Sequence, residues 1–130
     1  MDGQPATRAT SAGAVQELSL GGIPGFAAGF TRGALTARSL DPEAAGRALA
    51  EALGAPDAEV VLLTQVHGRS ILSFEAPARK RWHTLLGEGD GLLTCQPNVL
   101  LAVASADCVP IVLADPVTGW IAAIHDIGFW

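Results

Sequence analysis

Residues 59–66, EVVLLTQV, decide how this chain folds. Val60 to Leu63 run without a polar interruption, so the strand pattern does not alternate. A strand of that kind is covered on both faces rather than lying on a half-wet sheet. Upstream, LDPEAAGRALAEALGAP (40–56) is the clearest helix. Asp41 caps it, because a carboxylate accepts the orphan N–H groups of the first turn. Pro42 fits the first helical position, where its missing N–H costs nothing. Ala45, Leu49, Ala52 and Leu53 form one apolar stripe, Glu43, Arg47 and Glu51 line another face, and Gly54 and Pro56 end the helix.

Downstream the chain reads as strands. SILSF (70–74) is expected to pair back on 59–66 across HGR. DGLLT (90–94), VLLAVASA (99–106), VPIVLAD (109–115) and WIAAIH (120–125) are further β candidates. CQPN and DPVTG supply turn residues between them. Residues 26–31, inside the glycine-rich GGIPGFAAGFTRG, hold one more short strand. The order is a helix and then many strands, with no βαβ alternation. That predicts an α+β fold built on a mixed or antiparallel β-sheet core with flanking helices.

The chain has 130 residues, 49% of them hydrophobic, which suits one domain with a real core. Residues 1–20 read as a disordered lead-in and 21–130 as the domain. A net charge of -5 argues against a nucleic-acid partner. The basic cluster Arg79-Lys80-Arg81 is short and reads as a solvated loop. No apolar run approaches the roughly 20 residues of a spanning helix, and residues 1–14 have no apolar signal region. The expected location is the cytoplasm, where Cys95 and Cys108 stay reduced. Cys95 then reads as structural, His83 as exposed in a polar loop, and Trp82 and Trp120 as packing residues.

His67, Cys108 and His125 each lie at or beside the end of an apolar strand. Thiolate and imidazole are ligands that zinc prefers, and three protein ligands leave a fourth position for water. Spacing alone favours a plainer reading, with His67 as a turn residue and Cys108 as a core cysteine.

Three words in order change that balance: TQVHG (64–68), GDGLLT (89–94) and SADCVPIVLADPVTGWIAAIH (105–125). Together they resemble the laccase-like, multicopper polyphenol oxidase family. That family also includes bacterial purine nucleoside phosphorylases and peptidoglycan editing factor-like proteins. The resemblance covers residues 22–125 and is most specific from Thr64 onward. It implies a layered α/β/β/α sandwich, with zinc ligated by His67, Cys108 and His125. It implies phosphorolysis of adenosine, inosine, guanosine and methylthioadenosine, and deamination of adenosine. The implied partners are therefore a purine nucleoside and phosphate.

Gln65 and Asp107 flank two of these ligands. They are the catalytic candidates, as groups that orient imidazole or thiolate, with ordinary strand-end hydrogen bonding the equal alternative. Asp90 and Arg32 are the substrate candidates. Asp90 reads equally as a turn cap. Arg32 lies in GFTRG (29–33), which resembles the family's early Gly-Phe-x-x-Arg segment with one residue fewer before the Arg, and would meet phosphate bidentately. After His125 the family continues with an Ala-Gly-Trp-Arg-Gly word, whereas this chain reads HDIGFW. The match thus covers the N-terminal half only, and the expectation is a truncated form. Alternatives are copper in place of zinc in a polyphenol oxidase, a thiol hydrolase using Cys108 with His125 as base, and an inactive fragment.

Overall fold

The computed structural model describes residues 7–10, 13–18, 23–32, 41–75, 83–105 and 109–126. In chain order the elements are β1 (Thr7–Thr10), β2 (Gly13–Leu18), β3 (Ala28–Arg32), α1 (Pro42–Ala52), β4 (Glu59–Thr64), β5 (Ile71–Ser73), β6 (His83–Glu88), β7 (Gly91–Thr94), β8 (Val99–Leu101), β9 (Val109–Ala114) and β10 (Ile121–Asp126). The fold is mixed α+β, with one helix among the described residues. The chain divides into two compact units, residues 1–57 and 58–130.

The first unit is an antiparallel sheet in the order β1-β2-β3, with α1. Two of its strands lie within the segment expected to be a disordered lead-in. Val15 shows why: it is fully buried on β2, packed with Ala48, Leu49 and Ala52 of α1 and with Leu53 at its C-terminal cap. The helix ends follow local rules. Asp41 accepts from the Ala44 N–H at 2.8 Å. At the other end Gly54 takes φ +82°, while its N–H donates to the Glu51 carbonyl and that of Ala55 to the Ala50 carbonyl. That pair of bonds is the glycine-terminated stop that satisfies the last carbonyls.

The second unit holds two sheets. One is wholly parallel, in the order β6-β4-β8. The other, β5-β7-β10-β9, is mixed, with β5 parallel to β7 and the remaining pairs antiparallel. Val61 and Leu63 of β4 pack with Phe74 and Leu92, joined by Leu72, Leu86, Val99, Leu101 and Val103. This cluster is the core between the two sheets. Val60, on the opposite face of β4, is also fully buried, as the uninterrupted apolar run predicts.

Three expectations are corrected. SILSF does not pair back on β4, because both edges of β4 are occupied by β6 and β8; β5 joins β7 instead. His83, expected in a polar loop, instead opens β6 (His83–Glu88), which has a bulge opposite the Leu62–Thr64 stretch where Gly87 takes φ +153°. Within the run expected as a strand over 99–106, Val99–Leu101 form β8 and residues 102–105 do not continue it. The Ala102 N–H still donates to the Val61 carbonyl at 3.0 Å, and past it a side chain replaces the ladder, as described below. The basic cluster 79–81 and Trp82 lie outside the described residues, as does the side chain of His83.

Candidate metal centre

The topology of the second unit brings several strand ends to one place. Thr64, at the end of β4, pairs with Glu88 at the end of β6, and the chain then enters β7 through Gly89 and Asp90. Gly91, at the start of β7, pairs with Ile124 near the end of β10. Val109, at the start of β9, pairs with Asp126. His67 follows the exit of β4 and His125 lies at the end of β10, so both reach this edge. Their ring centroids are 5.2 Å apart, with the planes 73° from each other. Cys108 and Asp107 lie outside the described residues.

Asp90 is the hub. It is 3% exposed, and its carboxylate collects the backbone N–H groups of three consecutive residues. Oδ2 accepts from Gly68 at 2.7 Å and from Val66 at 3.3 Å. Oδ1 accepts from His67 at 3.1 Å and lies 3.0 Å from His125 Nδ1. The main chain of Asp90 is engaged as well: its N–H donates to the Ser70 carbonyl at 3.0 Å, and its carbonyl accepts from the His125 N–H at 2.7 Å. His67 sits at φ +59°, a left-handed conformation that costs a non-glycine residue about 1–2 kcal/mol. The Asp90 hydrogen bonds hold that turn in place.

Burial would raise the Asp90 carboxyl. The hydrogen bonds from His125 and from the N–H groups of Gly68, Val66 and His67 outweigh it and hold the carboxyl below its ordinary value. Asp90 is therefore ionised at neutral pH and only accepts, so the proton on this side of the His125 ring belongs to Nδ1. In the neutral ring Nε2 is then left with a lone pair. His125 is 5% exposed, and among the described residues nothing bonds its Nε2. The His67 side chain is exposed.

This donor chemistry fits a metal. One imidazole is buried and fixed through its Nδ1–H to a carboxylate, the arrangement that presents Nε2 to zinc. The second stands beside it. The described residues hold no cluster of three candidate ligands. The third ligand suggested by sequence, Cys108, is the residue before Val109.

The other site candidates are placed as follows. Gln65 makes two bonds to one backbone unit: Nε2 donates to the Ala104 carbonyl at 2.7 Å, and Oε1 accepts the Ala104 N–H at 2.7 Å. Its amide thus extends the β4–β8 pairing past Leu101, which is the strand-end role rather than one on the His67 ring. Asp90, expected at the substrate, has a buried and fully engaged carboxylate. Arg32 ends β3 in the first unit, and its side chain is not described. Cys95 is exposed, and Trp120 is half-buried. Sequence reasoning did not anticipate Val66, Gly68 and Ser70, which act through the backbone. The one available signal was an Asp-Gly step opening a strand.

Residues 40–126 match the family described as multi-copper polyphenol oxidoreductase laccase. The chain belongs to that family. A purine nucleoside phosphorylase of Streptomyces coelicolor is 39% identical over 110 residues, which is 85% of this chain and 40% of that protein. One from Deinococcus radiodurans is 45% identical over 91 residues, 68% of this chain and 33% of the relative. One from Mycobacterium bovis is 45% identical over 83 residues, 63% of this chain and 32% of the relative. The chain thus spans well under half the length of these relatives. Among solved structures, YlmD from Geobacillus stearothermophilus superposes with a TM-score of 0.67 at 27% identity, over 93% of this chain and 52% of that one. Bacillus licheniformis YfiH gives 0.57 at 25% identity, over 86% of this chain and 45% of that one.

Proposed function

We propose that this chain carries the metal centre of a zinc-dependent purine nucleoside phosphorylase, with His67, Cys108 and His125 as ligands. The observation that carries the reading is the paired imidazoles: two rings 5.2 Å apart at one strand edge, one of them with Nδ1 held by a buried carboxylate. The register supports Cys108 as third ligand, since Val109 pairs with Asp126, the residue after His125. Zinc is the metal of this reading because one thiolate and two imidazoles are ligands that it prefers and leave a fourth position for water.

The substrates in this reading are a purine nucleoside and phosphate, after the relatives' names. In phosphorolysis a phosphate oxygen bonds to the anomeric carbon of ribose as the bond to the purine nitrogen breaks. Adenosine deamination is the second activity proposed, with water replacing the exocyclic amine, which leaves as ammonia. A zinc held by His67, Cys108 and His125 would supply Lewis acidity. The chain's own part is to aim Nε2 of His125, to hold the His67 turn, and to keep Asp90 charged beneath them. A cytoplasmic location belongs to the same reading; no helix among the described residues is long and apolar enough to cross a membrane.

The test is the metal content of the purified chain by mass spectrometry, beside Cys108→Ala. One zinc per chain, lost in the variant, is the expected result. Incubation with inosine or adenosine and phosphate, followed by chromatography, then reads activity. Folded protein without metal refutes the ligand assignment. If that metal-free protein has a thiol-dependent hydrolase activity that Cys108→Ala abolishes, Cys108 is a nucleophile instead.

A further inference from the structure

Asp90 has two properties that set it apart from a substrate contact. It is buried, and every acceptor position it has is taken. An ionised carboxylate offers about four lone-pair positions. Here Oδ1 serves His67 N–H and His125 Nδ1, and Oδ2 serves Gly68 N–H and Val66 N–H. Nothing remains for a cation or a hydroxyl of a ligand without breaking one of these bonds. A single oxygen, Oδ1, also joins the two histidines, touching the backbone of one and the ring of the other.

We infer that Asp90 is the positioning residue of the site. It fixes the His125 ring in the tautomer that carries its proton on Nδ1 and anchors the left-handed turn that presents His67, while itself contacting neither metal nor substrate. This rests on the metal-centre reading only for what the two histidines then do; the tautomer and the turn belong to the metal-free chain. The three N–H groups of residues 66–68 form a concavity of the type that binds anions. The chain fills it with its own carboxylate. The effect is to couple the exit of β4 to the end of β10 through one side chain at the start of β7. Movement of Asp90 therefore disturbs both imidazoles at once.

The experiment is a long-range nitrogen–proton correlation spectrum of the full, metal-free, nitrogen-15-labelled chain above neutral pH, beside Asp90→Asn. Zinc affinity of both proteins is measured by competition with a chromophoric chelator. In the native chain His125 is expected to show a protonated Nδ1 and a bare Nε2. In Asp90→Asn the tautomer should mix or invert, the His67 and Gly68 amide resonances should move, and zinc should bind about 10–100-fold more weakly. A residue with only a structural role would lower the melting temperature and leave the tautomer alone. Such an outcome overturns the proposal. So does a native His125 protonated on Nε2, a measurement that stands even if the variant fails to fold. A native chain with the Nδ1 proton in place and no zinc binding upholds the positioning role and removes the metal-centre reading instead.

Discussion

Replacing Gly89 with alanine tests the geometry of the site from a residue that takes no part in its chemistry. Gly89 is buried between β6 and Asp90, and its N–H donates to the Thr64 carbonyl at 3.0 Å. A Cβ added there would lie 2.9 Å from the Ser70 carbonyl oxygen, and 3.4 Å and 3.6 Å from two carbons of Leu72. Ordinary carbon–oxygen contacts lie at roughly 3.3–3.6 Å, so the carbonyl must give way by about half an ångström. It is not free to do so, because it accepts the Asp90 N–H at 3.0 Å.

Overpacking of this kind costs about 1–3 kcal/mol, and loss of the Asp90–Ser70 bond about 1 kcal/mol more. The smaller conformational freedom of unfolded alanine returns about 0.4–1 kcal/mol. The expected net loss is about 1–3 kcal/mol, or a fall of roughly 1 M in the urea midpoint of a small domain. Urea unfolding followed by tryptophan fluorescence measures it. The same variant should weaken zinc binding, because Asp90 is the next residue and moves with the strain. Unchanged stability with unchanged zinc affinity would refute the tight-approach argument and the coupling built on it.

Gln65→Ala removes both bonds to Ala104 and should cost about 1–2 kcal/mol in thermal unfolding, while zinc stoichiometry stays at the native value. A lost metal with an unchanged melting temperature would return Gln65 to the metal site. Phe74→Ala empties the centre of the cluster formed with Val61, Leu63 and Leu92, and should cost about 3–5 kcal/mol by denaturant titration. At the β9–β10 turn, the Thr118 hydroxyl and the Val117 N–H hold the Asp115 carboxyl below its ordinary value. Its folded pKa being depressed, the turn keeps this support above the unfolded value near roughly pH 4 and loses it as pH falls through the folded one. The Val117 amide resonance should therefore shift on acidification, and Asp115→Ala should abolish that shift.

What was legible in the sequence is what depends on neighbours. The α1 helix and both of its ends follow from Asp41, Pro42 and Gly54, each acting within one turn of itself. The double burial of β4 follows from its unbroken apolar run. Strand partners were not legible, because pairing joins distant segments. Nothing in SILSF says that β4 is already paired on both edges, and nothing in GAVQEL says that Val15 will be buried under a helix some thirty residues on. The candidate ligands His67 and His125 were legible through the words around them. The role of Asp90 was not, because its partners at 66–68 contribute only main-chain N–H groups, which any residue but proline supplies.

The same point bears on how phosphate is bound in the proposed reaction. Backbone concavities are the usual way a loop receives an oxyanion, and residues 66–68 form one beside the two histidines. Here the concavity is already filled by a carboxylate held in its charged form, and a second anion would meet both steric exclusion and like charge. Phosphate in this reading must therefore be bound by groups other than this turn. That division of labour explains why a buried charge is kept at such a place. In that proposed reaction, a side chain at position 90 with no acceptor oxygen would leave the N–H groups of residues 66–68 open to phosphate, beside both imidazoles. Asp90 closes that position and in the same contacts sets the direction of His125.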